Sequence, residues 1–179
     1  MGQLTDMALV TQVVVFNNTK AFDTLVKKYQ SPLRRFLLHQ TMGDEALADD
    51  LAQDTFVKAY LSLASFRNLS SFQTWLFRIA YNLFYDHLRN QKAHVALDEA
   101  SLADACAVQT PPLEHQTDIY QALQQLGADE RTCINLFYME ELSINKIVSI
   151  TGMKSGTVKS HLSRGRAKMA AYLRKNGYE

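Results

Sequence analysis

An all-α fold of two helical domains joined by a flexible acidic linker, the second carrying a helix-turn-helix, is what this 179-residue sequence predicts. Three observations carry that expectation. Seven glycines and three prolines make up only about 6% of the chain against a usual share of about 12%, too few for the tight turns of a many-stranded sandwich or barrel. Apolar residues recur with helical period almost without a break from Leu4 to Lys92 and again from Leu113 to Asn176. Between Ala93 and Pro112 the pattern weakens into small and acidic residues and stops at Pro111-Pro112, which cannot continue a helix.

The first unit, residues 1–92, divides at Asn17-Asn18, Met42-Gly43-Asp44 and Asn68 to Ser71. Four helices are expected there: Thr5–Phe16, Lys20–Thr41 with Pro32 inside it, Asp44–Ser65 and Ser71–Gln91. Residues 93–112 form the linker, and residues 113–179 form the second unit, broken near Gly127-Ala128-Asp129 and at Thr151-Gly152. A chain this long supports one or two domains with their own cores. With 47% hydrophobic and 21% charged residues it is globular rather than disordered, and no apolar run approaches the ~20 residues a bilayer crossing needs. Cys106 and Cys133 have no zinc-like spacing, and no basic-then-apolar leader precedes the first helix, so a reduced, cytoplasmic protein is expected.

The formal net charge is only +1, but the charges are segregated. Met153 to Lys175 holds seven basic residues and no acid, whereas His94 to Glu114 holds four acids and no Lys or Arg. That asymmetry points to separate partners, with nucleic acid at the C-terminal end.

The stretch Leu142 to Leu162 has the layout of a helix-turn-helix. Ile144, Ile147 and Val148 share an apolar face, Gly152 permits a positive φ in the turn, and Ser155 is placed as N-cap of the second helix. Val158, Leu162, Gly165 and Met169 would bury that helix, with Gly165 costing it roughly 1 kcal/mol relative to Ala. Ser155, Thr157, Lys159, Ser160, His161, Ser163, Arg164 and Lys168 remain as candidate contacts to duplex DNA. A solvated basic face is the bland alternative, and mixed charges would serve solubility equally well.

In the N-terminal unit, Leu47, Leu51, Ala52, Thr55, Phe56, Ala59 and Leu63 form the inward stripe of the third helix. Asp50, Gln53, Asp54, Val57 and Leu61 fall on its outer side, where apolar residues within a polar face suggest docking to a partner helix. The two acids lack a histidine that would favour a metal site. On the fourth helix Phe72, Leu76, Ile79, Ala80, Leu83 and Phe84 point inward, with Trp75 at the edge. Opposite lie Arg78, Tyr81, Asn82, Tyr85 and Arg89, rings interleaved with cations as on surfaces that stack unpaired bases. Half-buried packing of Tyr81 and Tyr85 explains the pattern equally well, and both readings stand. Phe66, Arg67 and Asn68, followed by Ser70 and Ser71, add a polar loop with a ring able to hold one extruded base.

These residues resemble a known pattern: Asp49 to Phe56, then Phe66-Arg67 and Ser71 to Asn82, and finally Gly156 to Arg166. The chain is similar over essentially its whole length to extracytoplasmic-function (ECF) sigma factors of bacterial RNA polymerase, in the sigma-70 family. The resemblance implies that the N-terminal domain docks on the clamp of the largest polymerase subunit and captures melted minus-ten bases. It implies that the C-terminal domain reads the minus-thirty-five element and packs on the flap of the second-largest subunit. By the same likeness the acidic linker threads toward the polymerase active site, and an anti-sigma factor is an expected further partner. His161 stands where the family usually has Arg, and Gly165 where it usually has Ala.

The residues also bear on two other classes. A stand-alone helix-turn-helix regulator needs a dimer interface or effector pocket, where this chain offers a docking face and a stacking face. A serine recombinase needs an α/β catalytic domain, which the helical N-terminal half does not supply. No nucleophile-base pair, phosphate-binding glycine loop or metal motif is evident, so neither catalysis nor a cofactor is expected.

Overall fold

The computed structural model describes residues 5–99 and 118–177, and the elements it describes are helices. Helix α1 (Asp6–Phe16) starts on Thr5, whose hydroxyl accepts the Ala8 N–H, and ends at Asn17 in the left-handed region. It lies along α2 (Thr19–Gln40), where Asp6 accepts from Lys28 Nζ at 2.6 Å and from the Tyr29 hydroxyl at 2.5 Å. Pro32 stands inside α2 without ending it. Met42 and Gly43, both at positive φ, reverse the chain, and Asp44 caps α3 (Glu45–Ser62) by accepting the Leu47 N–H at 3.0 Å. A short 3-10 turn, Leu63–Ser65, follows.

Helix α4 begins at Phe72, with the Ser71 hydroxyl accepting the Thr74 N–H, and its backbone runs to Glu99. It therefore passes the boundary expected at Gln91 and enters the segment read as linker. The reason is local: no Gly or Pro occurs between Lys92 and Thr110, so nothing in the sequence stops the helix at 93. The rest of that linker, with Cys106 and Pro111-Pro112, lies outside the described residues. Leu25, Leu33, Phe36 and Leu37 of α2 meet Ala48, Leu51, Ala59 and Leu63 from the α3 segment and Leu76, Phe77, Ala80 and Phe84 of α4 in a dry core. Each such Leu or Phe contributes about 1.5–3 kcal/mol by leaving water.

The second unit comprises α5 (Asp118–Gln124), α6 (Ala128–Ile134) continuing as a wider π turn over Asn135–Met139, α7 (Ile144–Thr151) and α8 (Ser155–Lys175). The Ser143 hydroxyl caps α7, and Gly152 at φ +74° makes the turn into α8. Ile147 and Ile150 carry the buried face of α7, with Ile144 and Val148 half-buried at its edges. Lys154 rather than Ser155 occupies the N-cap position, and Ser155 is the first residue of the helix, without a capping bond. In the turn it is the Thr151 hydroxyl that accepts a backbone N–H, from Met153.

Helix α8 packs on α6 as well as α7, and Gly165 sits at the closest approach. A Cβ there would lie 2.7 Å from Ile134 Cγ1, closer than carbon atoms approach. The residue counted in the sequence as a propensity cost is therefore what lets the two helices meet.

The two units also pack on each other, α4 against α7 and α2 against α6 and the π turn. That seam is polar. Arg35 donates through Nε and Nη2 to both Glu140 carboxylate oxygens at 2.9 and 3.0 Å. Asn135 Nδ2 donates to the Phe36 carbonyl at 2.9 Å, and the Thr132 hydroxyl donates to Gln40 Oε1 at 3.1 Å. His39 Nδ1 lies 3.2 Å from Asn135 Oδ1.

Candidate nucleic-acid and partner interfaces

Three surfaces emerge from this framework. The first is the outer face of α3, where Asp50, Gln53, Asp54, Val57 and Leu61 are all exposed, Leu61 to 78%. Helical period puts them there because Leu51, Thr55 and Ala59 take the core side. Asp49 behaves differently from its neighbour, since Arg34 Nε binds it at 2.5 Å and holds its carboxyl below the usual carboxylate range. Asp50 and Asp54 have no basic partner among the described residues. The sequence reading missed Tyr60, partly exposed on this helix, and the exposed Val14, Val15 and Phe16 at the end of α1. Its signal was the run Val13 to Phe16, since one helix cannot turn four consecutive apolar residues to a single core face.

The second surface is the loop after α3 with the outer side of α4. Arg67, Asn68 and Leu69 are exposed at its tip, Leu69 to 91%, with Asn68 at φ +55°. Phe66 is not available there. Its ring is only 9% exposed and packs against Phe72 and Trp75, with centroids 5.8 and 5.3 Å away, so the side chain expected to hold a base belongs to an aromatic cluster of the core.

On α4, Arg78, Asn82 and Arg89 are exposed, while Tyr81 and Tyr85 are half-buried with ring centroids 4.3 Å apart. Arg89 pairs with Asp86 on its own helix. The Tyr85 hydroxyl donates to Asp129 Oδ1 at 2.6 Å and lies 3.3 Å from the Thr132 hydroxyl, both on the C-terminal unit. Burial, with the Asp129 bond second, pushes its phenol far above the usual range, and burial raises Tyr81 too. In this arrangement the two tyrosines are packing residues of the seam between units. Cys133 lies nearby in the interior, where burial pushes its thiol up to about 12, too high for a nucleophile or metal ligand.

The third surface is α8. Ser155, Thr157, Lys159, Ser160, Ser163, Arg164 and Lys168 are exposed, and His161 is half-buried. Val158, Leu162 and Gly165 are buried, and Met169 is partly so. The cations are not equivalent. Arg164 and Lys168, one turn apart, both donate to Glu130 of α6, at 3.2 and 2.7 Å, and Arg164 Nη2 lies 3.1 Å from His161 Nδ1. Lys159 and Arg166 have no acidic partner among the described residues. Arg166 was not among the sequence candidates, although it lies two turns beyond Lys159 on the same face.

Among the described residues no group of three or more His, Cys, Asp or Glu side chains converges as a metal site, and no helix is long and apolar enough to cross a membrane. Two family models match the chain in this same order. Sigma-70 region 2 covers residues 25–94, and Sigma-70, region 4 covers residues 116–169, the latter containing the helix-turn-helix. The chain is also 34% identical to the RNA polymerase sigma-H factor of Pseudomonas aeruginosa, over 93% of this chain and 92% of that one. The chain belongs to the ECF sigma factors of the sigma-70 family.

A second relative of this sigma factor is the ECF RNA polymerase sigma-E factor of Haemophilus influenzae, 33% identical over 92% of this chain and 93% of that one. Among solved structures, the sigma factor RpoE from Bartonella quintana, in complex with the anti-sigma factor NepR, superposes with a TM-score of 0.73 at 31% identity. The likeness covers 87% of this chain and 98% of that one. CnrH, solved in complex with the cytosolic domain of CnrY, gives a TM-score of 0.71 at 26% identity, covering 96% and 99%. The sigma factor acts in promoter-specific transcription initiation with core RNA polymerase and promoter DNA, and it is not an enzyme.

Proposed function

We propose a division of that activity among the three surfaces. The outer face of α3, through Asp50, Gln53, Asp54, Val57 and Leu61, docks on the clamp of the largest polymerase subunit. Arg67 and Asn68 of the loop, with Arg78, Tyr81, Asn82, Tyr85 and Arg89 of α4, hold the melted minus-ten strand. Helix α8 enters the major groove of the upstream element, and its domain rests on the flap of the second-largest subunit. The domains are residues 1–92 and 113–179, and the acidic residues between them run toward the polymerase active site. The protein works in the cytoplasm.

The observation that supports this most directly is the face of α8. It exposes Lys159, Ser160, Ser163 and Arg166 immediately after a glycine turn, with Val158, Leu162 and Gly165 facing inward. Cations and hydroxyls in that register suit phosphates and base edges. Tyr85 faces two demands, since its hydroxyl is engaged by Asp129 in the packed arrangement and its ring is assigned to unpaired bases. The packed chain is therefore the form before polymerase binding, and the two units part on it. Of the two solved structures above, RpoE is in complex with the anti-sigma factor NepR and CnrH with the cytosolic domain of CnrY, and an anti-sigma partner is proposed for this chain on the likeness to RpoE.

Reconstitution tests the whole reading. Core polymerase with the full-length chain is expected to give promoter-dependent run-off transcripts that neither component gives alone. A chain that binds duplex DNA but neither associates with core polymerase nor supports a transcript would be a stand-alone regulator.

A further inference from the structure

The recognition helix carries its cations in two groups, and a single carboxylate separates them. Glu130 sits in the first turn of α6 with its side chain only 10% exposed. Its Oε2 accepts from Lys168 Nζ at 2.7 Å and from the Gly127 N–H at 3.3 Å, and its Oε1 accepts from Arg164 Nε at 3.2 Å. Three donors converge on one nearly dry carboxylate. Lys168 foremost among them holds that carboxyl below the usual carboxylate range.

Taking α8 as the recognition helix, as proposed above, we infer that Glu130 is a positioning residue for upstream promoter reading: it fixes Arg164 in one orientation and withdraws Lys168 from indiscriminate phosphate contact. Arg164 is engaged through Nε, with Nη2 3.1 Å from His161 Nδ1, and its side chain remains 57% exposed, so part of the guanidinium is open to solvent while the rest is held. A guanidinium held in this way loses little rotamer freedom when it meets a guanine edge, whereas a free arginine gives up far more. His161 Nδ1 beside Nη2 limits the remaining rotation. Lys168 is a point charge with no geometric preference, and pairing it with Glu130 lowers the local field that would otherwise hold any duplex equally. Glu130 thus trades sequence-independent affinity for discrimination. It does so from α6, outside the recognition helix, touching no DNA itself.

The test uses the full-length chain assembled with core polymerase. The probes are a duplex whose upstream element has been selected from a random pool by the wild-type holoenzyme and the same duplex with that element scrambled. Glu130→Gln is expected to bind the scrambled duplex about two- to threefold more tightly with a salt slope steeper by about 0.9, as one more phosphate is engaged by Lys168. It is expected to lower the ratio of selected to scrambled affinity about fivefold, within the range one bidentate guanine contact supplies. On an Arg164→Ala background, Glu130→Gln is expected to change that ratio no further.

A merely structural role would instead weaken both duplexes by the same factor, or act equally with and without Arg164, and either result overturns the inference. Glu130→Asp, which keeps the charge but draws it back by one methylene, covers the case in which Glu130→Gln lowers the melting temperature. It is expected to lose discrimination without gaining on the scrambled duplex, and unchanged discrimination in this variant also overturns the inference. If Arg164→Ala and Lys159→Ala both leave the ratio unchanged, the recognition-helix reading itself fails. If they lower it and the Glu130 variants do not, only the positioning role fails.

Discussion

The Tyr85 hydroxyl on α4 donates to Asp129 Oδ1 on α6 at 2.6 Å, joining the two units through a side chain proposed to stack on unpaired DNA. Tyr85→Phe removes the bond and keeps the ring. It is expected to loosen the packed arrangement by about 1 kcal/mol, the usual net worth of one hydrogen bond, with stacking retained. Tyr85→Ala removes both. Open-complex formation on a duplex promoter is expected to fall by about 1–3 kcal/mol of lost stacking, and less on a template melted beforehand, where the cost of unpairing has already been met. Permanganate footprinting on the two templates measures the difference, and an equal loss on both would indicate a folding defect.

The Arg35–Glu140 pair is asymmetric, and its variants are expected to be so too. Glu140 has a side chain 2% exposed, whereas that of Arg35 is 50% exposed. Arg35→Ala strands a carboxylate in the seam, so the units are expected to part until Glu140 regains water, favouring the open form by about 2 kcal/mol after discounting for the exposed partner. Glu140→Gln leaves an arginine that simply turns to solvent, and the shift is expected to be smaller. Energy transfer between dyes on the two units reads both; equal shifts would overturn the asymmetry, and no shift in either would show that the pair does not hold the seam.

Most of the helices were legible in the sequence because period, caps and turn residues agree at Thr5, Asp44 and Gly152. The exposed face of α3 was legible for the same reason. What escaped depends on a second surface arriving from elsewhere in the chain. Phe77 is fully buried although it lay outside the inward stripe read for α4, since α2, α3 and α7 all pack against that helix. Phe66 looked free because nothing in its loop shows that Phe72 and Trp75 close over it. The packing role of Tyr85 could be seen only with Asp129, 44 positions later, beneath its hydroxyl.

Asp50 and Asp54 are expected to mark the polymerase-docking face. Both are exposed beside Val57 and Leu61, and neither takes part in an ion pair among the described residues, so removing them costs the fold nothing specific. Asp50→Lys and Asp54→Lys are each expected to weaken core-polymerase affinity at least about tenfold, the equivalent of 1.4 kcal/mol, with unchanged circular dichroism. Asp49→Lys, which breaks the pair with Arg34, serves as a comparison whose effect includes stability. Wild-type affinity in both Asp50 and Asp54 variants would move the docking face elsewhere.

Gly165→Ala reverses sign between sequence and structure. Helix propensity alone favours the substitution by about 1 kcal/mol. The new methyl would stand 2.7 Å from Ile134 Cγ1 and 3.2 Å from its Cδ1, and Ile134 is itself buried, so α6 and α8 must separate. A net loss of about 1–3 kcal/mol is expected in thermal unfolding. Adding Ile134→Val, which removes the Cδ1 methyl, is expected to recover part of it, so the two changes are non-additive. A melting temperature raised by Gly165→Ala alone would mean the helices already have room.

The two unpaired cations of α8 make the sharpest comparison on the DNA side. Lys159 and Arg166 share a face two turns apart, and neither is restrained by an acid among the described residues. Lys175 is equally basic but closes the helix nine residues beyond Arg166. If charge alone drew this end of the protein to DNA, the three alanine variants would weaken holoenzyme binding alike, each lowering the salt slope by about 0.9. If α8 lies in the groove by its N-terminal half, Lys159→Ala is expected to cost the most and Lys175→Ala almost nothing. Arg166→Ala is then expected to behave as a phosphate contact, weakening selected and scrambled upstream elements by the same factor. Loss of preference at a single base pair in Lys159→Ala would make it a base reader instead, because phosphate contacts carry no sequence information. A Lys175→Ala effect as large as that of Lys159→Ala would place the wrong end of the helix on the DNA.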